Sequence, residues 1–261
     1  MLLISMTARN RNRLICHDYN FQLSTFNFEP LNCRVPIWSY IIVAVAAYLL
    51  GSIPTGYLVA KAKGIDIRKT GSGNIGATNA MRVLGKPAGI FVLLVDAAKG
   101  FGACFLAALI YTCYFYQFNG LHPTTDAMPF PSPKIANYFI LIAGIFAVLG
   151  HNYTCWLKFK GGKGIATTAG VYLALAPIAL GIAFAIFILA LLTTRYVSVS
   201  SILAAIALPA AVWILQPHNL FLGIVTTALG ALAIYKHKSN IQRLMQGTEN
   251  RLGKKSGGGD K

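Results

Sequence analysis

Three polar stretches carry residue types and spacings that suit one task, holding an anion. In the first, RKTGSGNIGATNAMR, Arg68 and Arg82 bracket a glycine-rich loop containing Gly71, Ser72, Gly73 and Asn74. Glycines let backbone N–H groups approach an anion closely, Ser72, Asn74, Thr78 and Asn79 add donors, and a guanidinium grips phosphate through two parallel hydrogen bonds. The second, KFKGGKG, interleaves Lys158, Lys160 and Lys163 with Gly161, Gly162 and Gly164. It is a phosphate loop in miniature that lacks the Ser or Thr a magnesium-binding loop needs, so it reads as a cradle without a metal. The third, KHKSNIQRLMQGTEN, spaces His237, Asn240 and Arg243 one helical turn apart, so all three can face one site. His237 is a candidate general base there.

Other readings of the same residues are weaker. Residues 71–76 satisfy GxGxxG, but a dinucleotide site needs a preceding strand in a soluble unit, and an apolar run of membrane length stands there instead. A tight glycine turn with juxtamembrane arginines facing lipid headgroups is the alternative for the first stretch, and a positively charged membrane anchor for the second, though an anchor does not need the three glycines interleaved there. Glu249, a lone acid in a basic tail, is read as structural, pairing with a neighbouring Arg or capping a turn. Asp96 and Lys99 lie i, i+3 inside an apolar run, where they can pair with each other. His151 and Asn152, at the end of another run, are either interfacial or part of the site. The cysteines Cys16, Cys33, Cys104, Cys113 and Cys155 show no CxxC spacing, the histidines are isolated, and neither a metal, another cofactor nor a disulfide framework is expected.

The elements that must position these stretches are membrane helices. The chain of 261 residues is 56% hydrophobic and 11% charged, with a mean hydropathy of +0.59. Those values exclude an ordinary soluble domain. The net charge of +16 falls in short loops between apolar runs, which suits a membrane surface and not a nucleic-acid groove lined with stacking aromatics.

The apolar runs are 37–60, 88–114, 135–155, 164–194, 197–216 and 220–235. A span needs about 20 residues, so 164–194 is one tilted helix or two short ones, with Pro177 a natural break. The loops 61–86 and 158–163 are basic and the loop 115–134 is nearly uncharged, giving an in, out, in order. Two passes within 164–194 return Arg195 and the basic tail to the inner side. The expected fold is therefore all-α and polytopic, with about seven transmembrane helices. One of them, 164–176, is short at about 13 residues, or about 20 Å of rise. This order gathers the polar stretches, with Arg195 to Ser201 beside them, on the cytoplasmic face. Residues 1–35 are read as a disordered extension whose arginines would lie outside, against the positive-inside rule, and 256–261 as a disordered tail.

These motifs together resemble the acyl-phosphate-dependent glycerol-3-phosphate acyltransferases of bacteria, the PlsY family. The resemblance rests on GSIPTGYLVAK, IDIRKTGSGNIGATNAMRVLGKPAG, GHNYTCWLKFKGGKGIAT and HKSNIQRLMQGTENRLGKK, and runs from about residue 37 to 255. It departs in residues 1–35, which have no counterpart, and in a longer connection over 111–134.

The resemblance implies a membrane-embedded acyltransferase domain over 36–255 in the bacterial inner membrane, its active site facing the cytoplasm. That enzyme would move a fatty acyl group from acyl phosphate to the 1-hydroxyl of glycerol 3-phosphate, giving lysophosphatidic acid and phosphate. Carried over by motif, Ser72, Arg82, His237 and Asn240 would be catalytic. Gly161, Gly162, Lys163, Gly164 and Ser201 would bind phosphate and Glu249 would be structural, while Arg68, Gly71, Gly73 and Asn74 join the phosphate-binding set from the loop chemistry given above. Glycerol 3-phosphate, acyl phosphate and membrane lipid are the implied partners, with a functional link to the enzyme that makes acyl phosphate.

No Ser or Cys is activated by a neighbouring His and acid, and the HxxxxD pattern of thioester-using acyltransferases is absent, so direct transfer without an acyl-enzyme is expected. A transporter for an anionic solute is the competing class. It would place polar residues deep in several spans instead of on one face.

Overall fold

A computed structural model describes residues 36–119 and 134–252. The expectations for residues 1–35, for 256–261 and for the connection 120–133 concern residues outside that set.

Apolar length dictates the helices, and proline and glycine end them. α1 (Ile37–Ser52) stops before Pro54 and the chain resumes as α2 (Thr55–Lys61), so the first apolar run is bent and not one straight rod. After a 3-10 turn at Ile67–Lys69 come α3 (Ala77–Leu84) and the long α4 (Lys86–Asn119). α5 (Lys134–Asn152) is followed by a 3-10 turn at Cys155–Leu157 and by α6 (Ile165–Leu175). α7 (Pro177–Thr194) begins on Pro177, whose fixed φ and missing N–H suit a first helical position. The expected break in 164–194 therefore falls at Ala176. α8 (Val197–Leu215) carries Pro209 without a break, and α9 (Leu220–Lys236) bends by 52° at His237 into α10 (Lys238–Met245).

Among the described residues, five helical segments are long and apolar enough to cross a bilayer: Ile37–Lys61, Lys86–Tyr114, Tyr138–Leu157, Pro177–Thr194 and Val197–Leu215. α9 with α10 makes a sixth if the bent pair counts as one span. α6, apolar and 11 residues long, rises only about 16 Å. These are the apolar segments expected, with α6 as the short one. Their outer faces carry Leu94, Ile178, Leu192 and Ile214 in the open, as lipid-facing residues must be.

Inside the bundle, small residues let backbones close up. A Cβ on Gly100 would lie 2.1 Å from the Thr167 carbonyl oxygen of α6, and one on Gly170 would lie 1.8 Å from that of Ala97. That reciprocal contact fixes α6 along α4, and Gly51 and Gly150 do the same for α1 and α5. Among the described residues a buried ion pair anchors α4: Lys99 Nζ lies 2.8 Å from Asp96 Oδ1 and donates to the carbonyls of Ile53 at 2.7 Å and Gly51 at 3.4 Å. It ties α4 to the bend between α1 and α2. The i, i+3 pairing expected of these two residues is present.

Candidate active site

The three polar stretches meet around one cavity of about 310 Å³, beside the first turns of α3, α6 and α8 and along α10. Ser72, Asn74, Arg82, Lys163, Gly164, Ser201, His237, Asn240 and Glu249 all line it, as do Asp96, His151, Ser198 and Arg243. Residues more than 150 positions apart thus share one space.

Asn79 organises the first loop from within. Almost wholly buried, its side-chain NH₂ donates to the carbonyls of Asn74 at 2.8 Å, Thr70 at 3.0 Å and Ile67 at 3.3 Å, and its Oδ1 accepts from the Ser72 amide at 2.9 Å. Gly71, at φ +64°, has Asn79 Oδ1 where a Cβ would go, so the loop can wrap this amide only with glycine there. Asn74 Oδ1 accepts from the Gly76 amide at 3.0 Å and shapes the entry to α3. The first turns of α3 and α6 both face the cavity and add their positive ends to it.

Arg68 is elsewhere. Its guanidinium holds Asp66 through Nε and Nη2, each 2.9 Å from a carboxylate oxygen, and lies over the Tyr57 ring at 4.8 Å. That hydrogen bond holds the Asp66 carboxyl down at about 2. Arg82, from the exposed side of α3, is the guanidinium that lines the cavity.

The second loop uses its glycines differently from a simple cradle. The amides of Gly161 and Gly162 donate to the carbonyls of Asn152 at 3.2 Å and His151 at 3.0 Å, the last residues of α5. A Cβ on Gly161 would sit 2.1 Å from the His151 oxygen, and one on Gly162 would sit 2.1 Å from His151 Nε2. These glycines seat the loop on the end of α5 and thereby aim Lys163 into the cavity. Gly164, at φ +81°, turns the chain into α6.

Lys163 Nζ donates to Asn240 Oδ1. Asn240 Nδ2 in turn donates to Glu249 Oε1 at 2.7 Å, which also accepts from Ser198 Oγ at 3.0 Å. Arg243 Nε bonds Glu249 Oε2 at 2.7 Å. Burial pushes the Lys163 ammonium down to about 8, with Glu249 opposing and Arg243 and Arg82 reinforcing the shift. Burial also resists ionisation of Glu249, but the hydrogen bonds from Asn240, Arg243 and Ser198 outweigh it and hold its carboxyl below the usual value. Glu249 is therefore an anionic clamp joining α8, α10 and the chain after it.

His237 stands at the bend between α9 and α10, with Nδ1 2.7 Å from the Ala233 carbonyl oxygen. A carbonyl only accepts, so Nδ1 carries the proton and Nε2 of the neutral ring is left as the acceptor. His151 Nδ1 lies 3.7 Å from Asp96 Oδ1, and both residues reach the cavity. Ser198, one turn from Ser201 on the same helix face, was not singled out in the sequence. The i, i+3 spacing was its one signal.

A multi-helix bundle embedded in the bilayer, with a basic cavity among its helix ends and loops, defines an integral membrane protein built to hold a phosphorylated compound. Residues 41–247 match the family Glycerol-3-phosphate acyltransferase. The glycerol-3-phosphate acyltransferase of Geotalea daltonii is 43% identical over 212 residues, covering 81% of this chain and 97% of that protein. The Thermosynechococcus vestitus enzyme is 45% identical over 221 residues, covering 83% and 96%. Crystal structures of PlsY (YgiH), described as an integral membrane glycerol 3-phosphate acyltransferase, superpose with a TM-score of 0.69 for the glycerol 3-phosphate form and 0.66 for the lysophosphatidic acid form. Both are 37% identical, covering 82% of this chain and 96% of theirs. The chain belongs to the glycerol-3-phosphate acyltransferase family of the PlsY type.

Proposed function

We propose that this protein acylates glycerol 3-phosphate on its 1-hydroxyl with a fatty acyl phosphate, giving lysophosphatidic acid and inorganic phosphate. The observation that carries the reading is the convergence of Arg82, Lys163, Ser72 and two helix N-termini on one cavity. Such a cavity can hold the phosphate of the acceptor and stabilise the phosphate that leaves.

In this reaction the C1 hydroxyl oxygen attacks the acyl carbonyl carbon, and the bond from that carbon to the phosphate oxygen breaks. Phosphate departs with the electron pair. Lys163, set by Asn240 and Glu249, and Arg82 neutralise phosphate charge, while the hydroxyls of Ser72 and Ser201 orient oxygens. Gly161 and Gly162 act by seating the Lys163 loop. The hydroxyl proton passes to His237 Nε2 or to a substrate phosphate oxygen, and no acyl-enzyme forms. Basic loops at the cavity support a cytoplasmic active site in a bacterial inner membrane, where the enzyme that makes acyl phosphate would supply the donor.

The test is acylation of labelled glycerol 3-phosphate by the purified protein offered palmitoyl phosphate or palmitoyl-CoA in parallel, with Lys163→Ala as control. Product from the acyl phosphate alone, lost or needing far more glycerol 3-phosphate in the variant, is expected. Product from the thioester alone would overturn the donor, and product from neither would overturn the reaction.

A further inference from the structure

In the turn that follows α5, Lys158 and Phe159 both hold a positive φ, 54° and 60°. Glycine enters that region freely and a residue with a Cβ does so under strain. The turn itself is closed by backbone: the Phe159 amide donates to the Thr154 carbonyl at 2.9 Å and the Lys160 amide to the Leu157 carbonyl at 3.1 Å. Glycine at both positions would make the same bonds, so the side chains kept there have a use of their own. That use lies outside the protein. Leu157 is buried, whereas Trp156 is 65% and Phe159 62% exposed, and Lys158 and Lys160 are exposed beside them.

The end of α9 extends this surface. Lys236 Nζ donates to the Asn152 carbonyl at 2.9 Å and lies 4.5 Å from the centre of the Tyr153 ring, while Lys238 Nζ lies 5.0 Å over the exposed ring of Tyr235. Cations and aromatic rings thus alternate across two elements. The described carboxylates are engaged elsewhere: Asp66 by Arg68, Asp96 by Lys99 and Glu249 by Arg243. Lys158, Lys160 and Lys238 therefore have no carboxylate partner among the described residues, and an anion for them comes from outside. None of these lysines and rings lines the polar cavity.

Position decides what that anion is. The apolar segment Tyr138–Leu157 ends in this turn, which puts Trp156 and Phe159 where hydrocarbon gives way to headgroups, a level that amphipathic aromatic rings favour and where lysines attract anionic lipid. A soluble anion would need the lysines alone. Two uncovered rings next to them call for an apolar neighbour as well, and a phospholipid supplies phosphate and hydrocarbon in one molecule. We propose that the turn 156–160, together with Lys238, is a binding site for an anionic phospholipid, whose phosphate the lysines hold while Trp156 and Phe159 pack against the start of its acyl chains.

The test reads binding and not turnover, so its outcome is independent of the acyltransferase reading. One variant keeps Trp156 and replaces Trp38 and Trp213 by Phe; a companion keeps only Trp213, at the opposite end of α8 from the cavity-lining Ser198. Each is placed in nanodiscs of phosphatidylcholine holding a minor fraction of brominated phosphatidylglycerol, and in the reverse mixture, since bromine quenches tryptophan only at contact. Phosphatidylglycerol should be favoured about fivefold or more at Trp156 and less than about twofold at Trp213. Lys158→Gln, Lys160→Gln and Lys238→Gln together should bring the preference at Trp156 below about twofold. Phe159→Gly should weaken the preference while raising the unfolding temperature in detergent, because glycine takes that φ without strain. Equal quenching by the two lipids, a preference that outlasts the three lysines, or displacement of the lipid by inorganic phosphate would overturn the proposal. So would a Trp156 that neither lipid quenches, the result for a turn held in water to meet a protein.

Discussion

Asn240 stands between Lys163 and Glu249, accepting from the lysine through Oδ1 and donating through Nδ2 to Glu249 Oε1 at 2.7 Å. The carboxylate fixes which way the amide points, and the amide fixes the ammonium. A carboxylate held by three donors thus sets, through Asn240, the ammonium that faces the cavity. Glu249→Ala removes the acceptor of Ser198, Asn240 and Arg243 together from a site where the carboxylate side chain is 7% exposed. The expected cost is about 3 kcal/mol of stability, read as a lower unfolding temperature in detergent, with a raised KM for glycerol 3-phosphate. An unchanged melt would dismiss the clamp.

Lys163, held at about 8 by burial, gives the enzyme a pH limit on its acceptor. A lysine with a depressed pKa is cationic below that value and neutral above it. The acceptor phosphate is already a dianion at neutral pH, so the change comes from the protein alone. KM for glycerol 3-phosphate should rise roughly fivefold from pH 8 to pH 9, while kcat at saturation changes less because bound phosphate restores the proton. Lys163→Arg, charged throughout, should flatten the profile. A flat profile in the wild type would place the phosphate away from Lys163.

The proton-transfer role of His237 is separable from its place in the fold. His237→Gln keeps a donor for the Ala233 carbonyl, which now accepts at 2.7 Å, and removes the basic lone pair. The expected result is a fall in kcat of about a hundredfold or more with KM little changed. A normal rate would assign the proton to a substrate phosphate oxygen.

Gly161→Ala should be far more harmful than Gly102→Ala. The first places a Cβ 2.1 Å from the His151 carbonyl oxygen, a backbone atom that cannot step aside, whereas nothing lies within 4 Å of the second. Displacing the loop displaces Lys163, so KM should rise at least tenfold, a loss of about 1.4 kcal/mol of binding. Gly102→Ala, in the middle of α4, should raise stability by up to about 1 kcal/mol. Equal activities for the two variants would mean that the loop seat has no bearing on substrate.

The same glycines mark where reading the sequence stops. Apolar length and Pro177 were enough to find the membrane-length segments and the short α6, because each is a local property, whereas the bend at Pro54 in the first run was not read. The one-turn spacing of His237, Asn240 and Arg243 likewise survives, since α10 forms there. Arg68 shows a local signal passed over: Asp66, two residues upstream, holds the guanidinium at the surface, away from the cavity lining. The acceptors for the Gly161 and Gly162 amides come from the end of α5, and no spacing rule announces a loop folding back on the helix before it. Asp96 and His151 entered the cavity for the same reason, through the packing of α4 against α5.

That buried pair supplies the last prediction. Lys99 is 4% and Asp96 3% exposed at the side chain, 2.8 Å apart, and the ammonium also satisfies the Ile53 and Gly51 carbonyls at the bend of the first apolar run. Lys99→Met leaves a carboxylate buried without its partner and two carbonyls without their donor, at a cost of about 3–5 kcal/mol. Asp96→Asn added to it removes the uncompensated charge and should recover a large part of that loss. The double variant is then informative about function: with the fold restored, a neutral residue 96 faces the cavity beside His151. If Asp96 serves only to hold α4 to α1, folded yield and KM for glycerol 3-phosphate recover together. Recovery of yield with a persistently altered KM would show that this carboxylate tunes the field around the phosphate, and failure of both to recover would mean that the two carbonyls, not the charge, need Lys99.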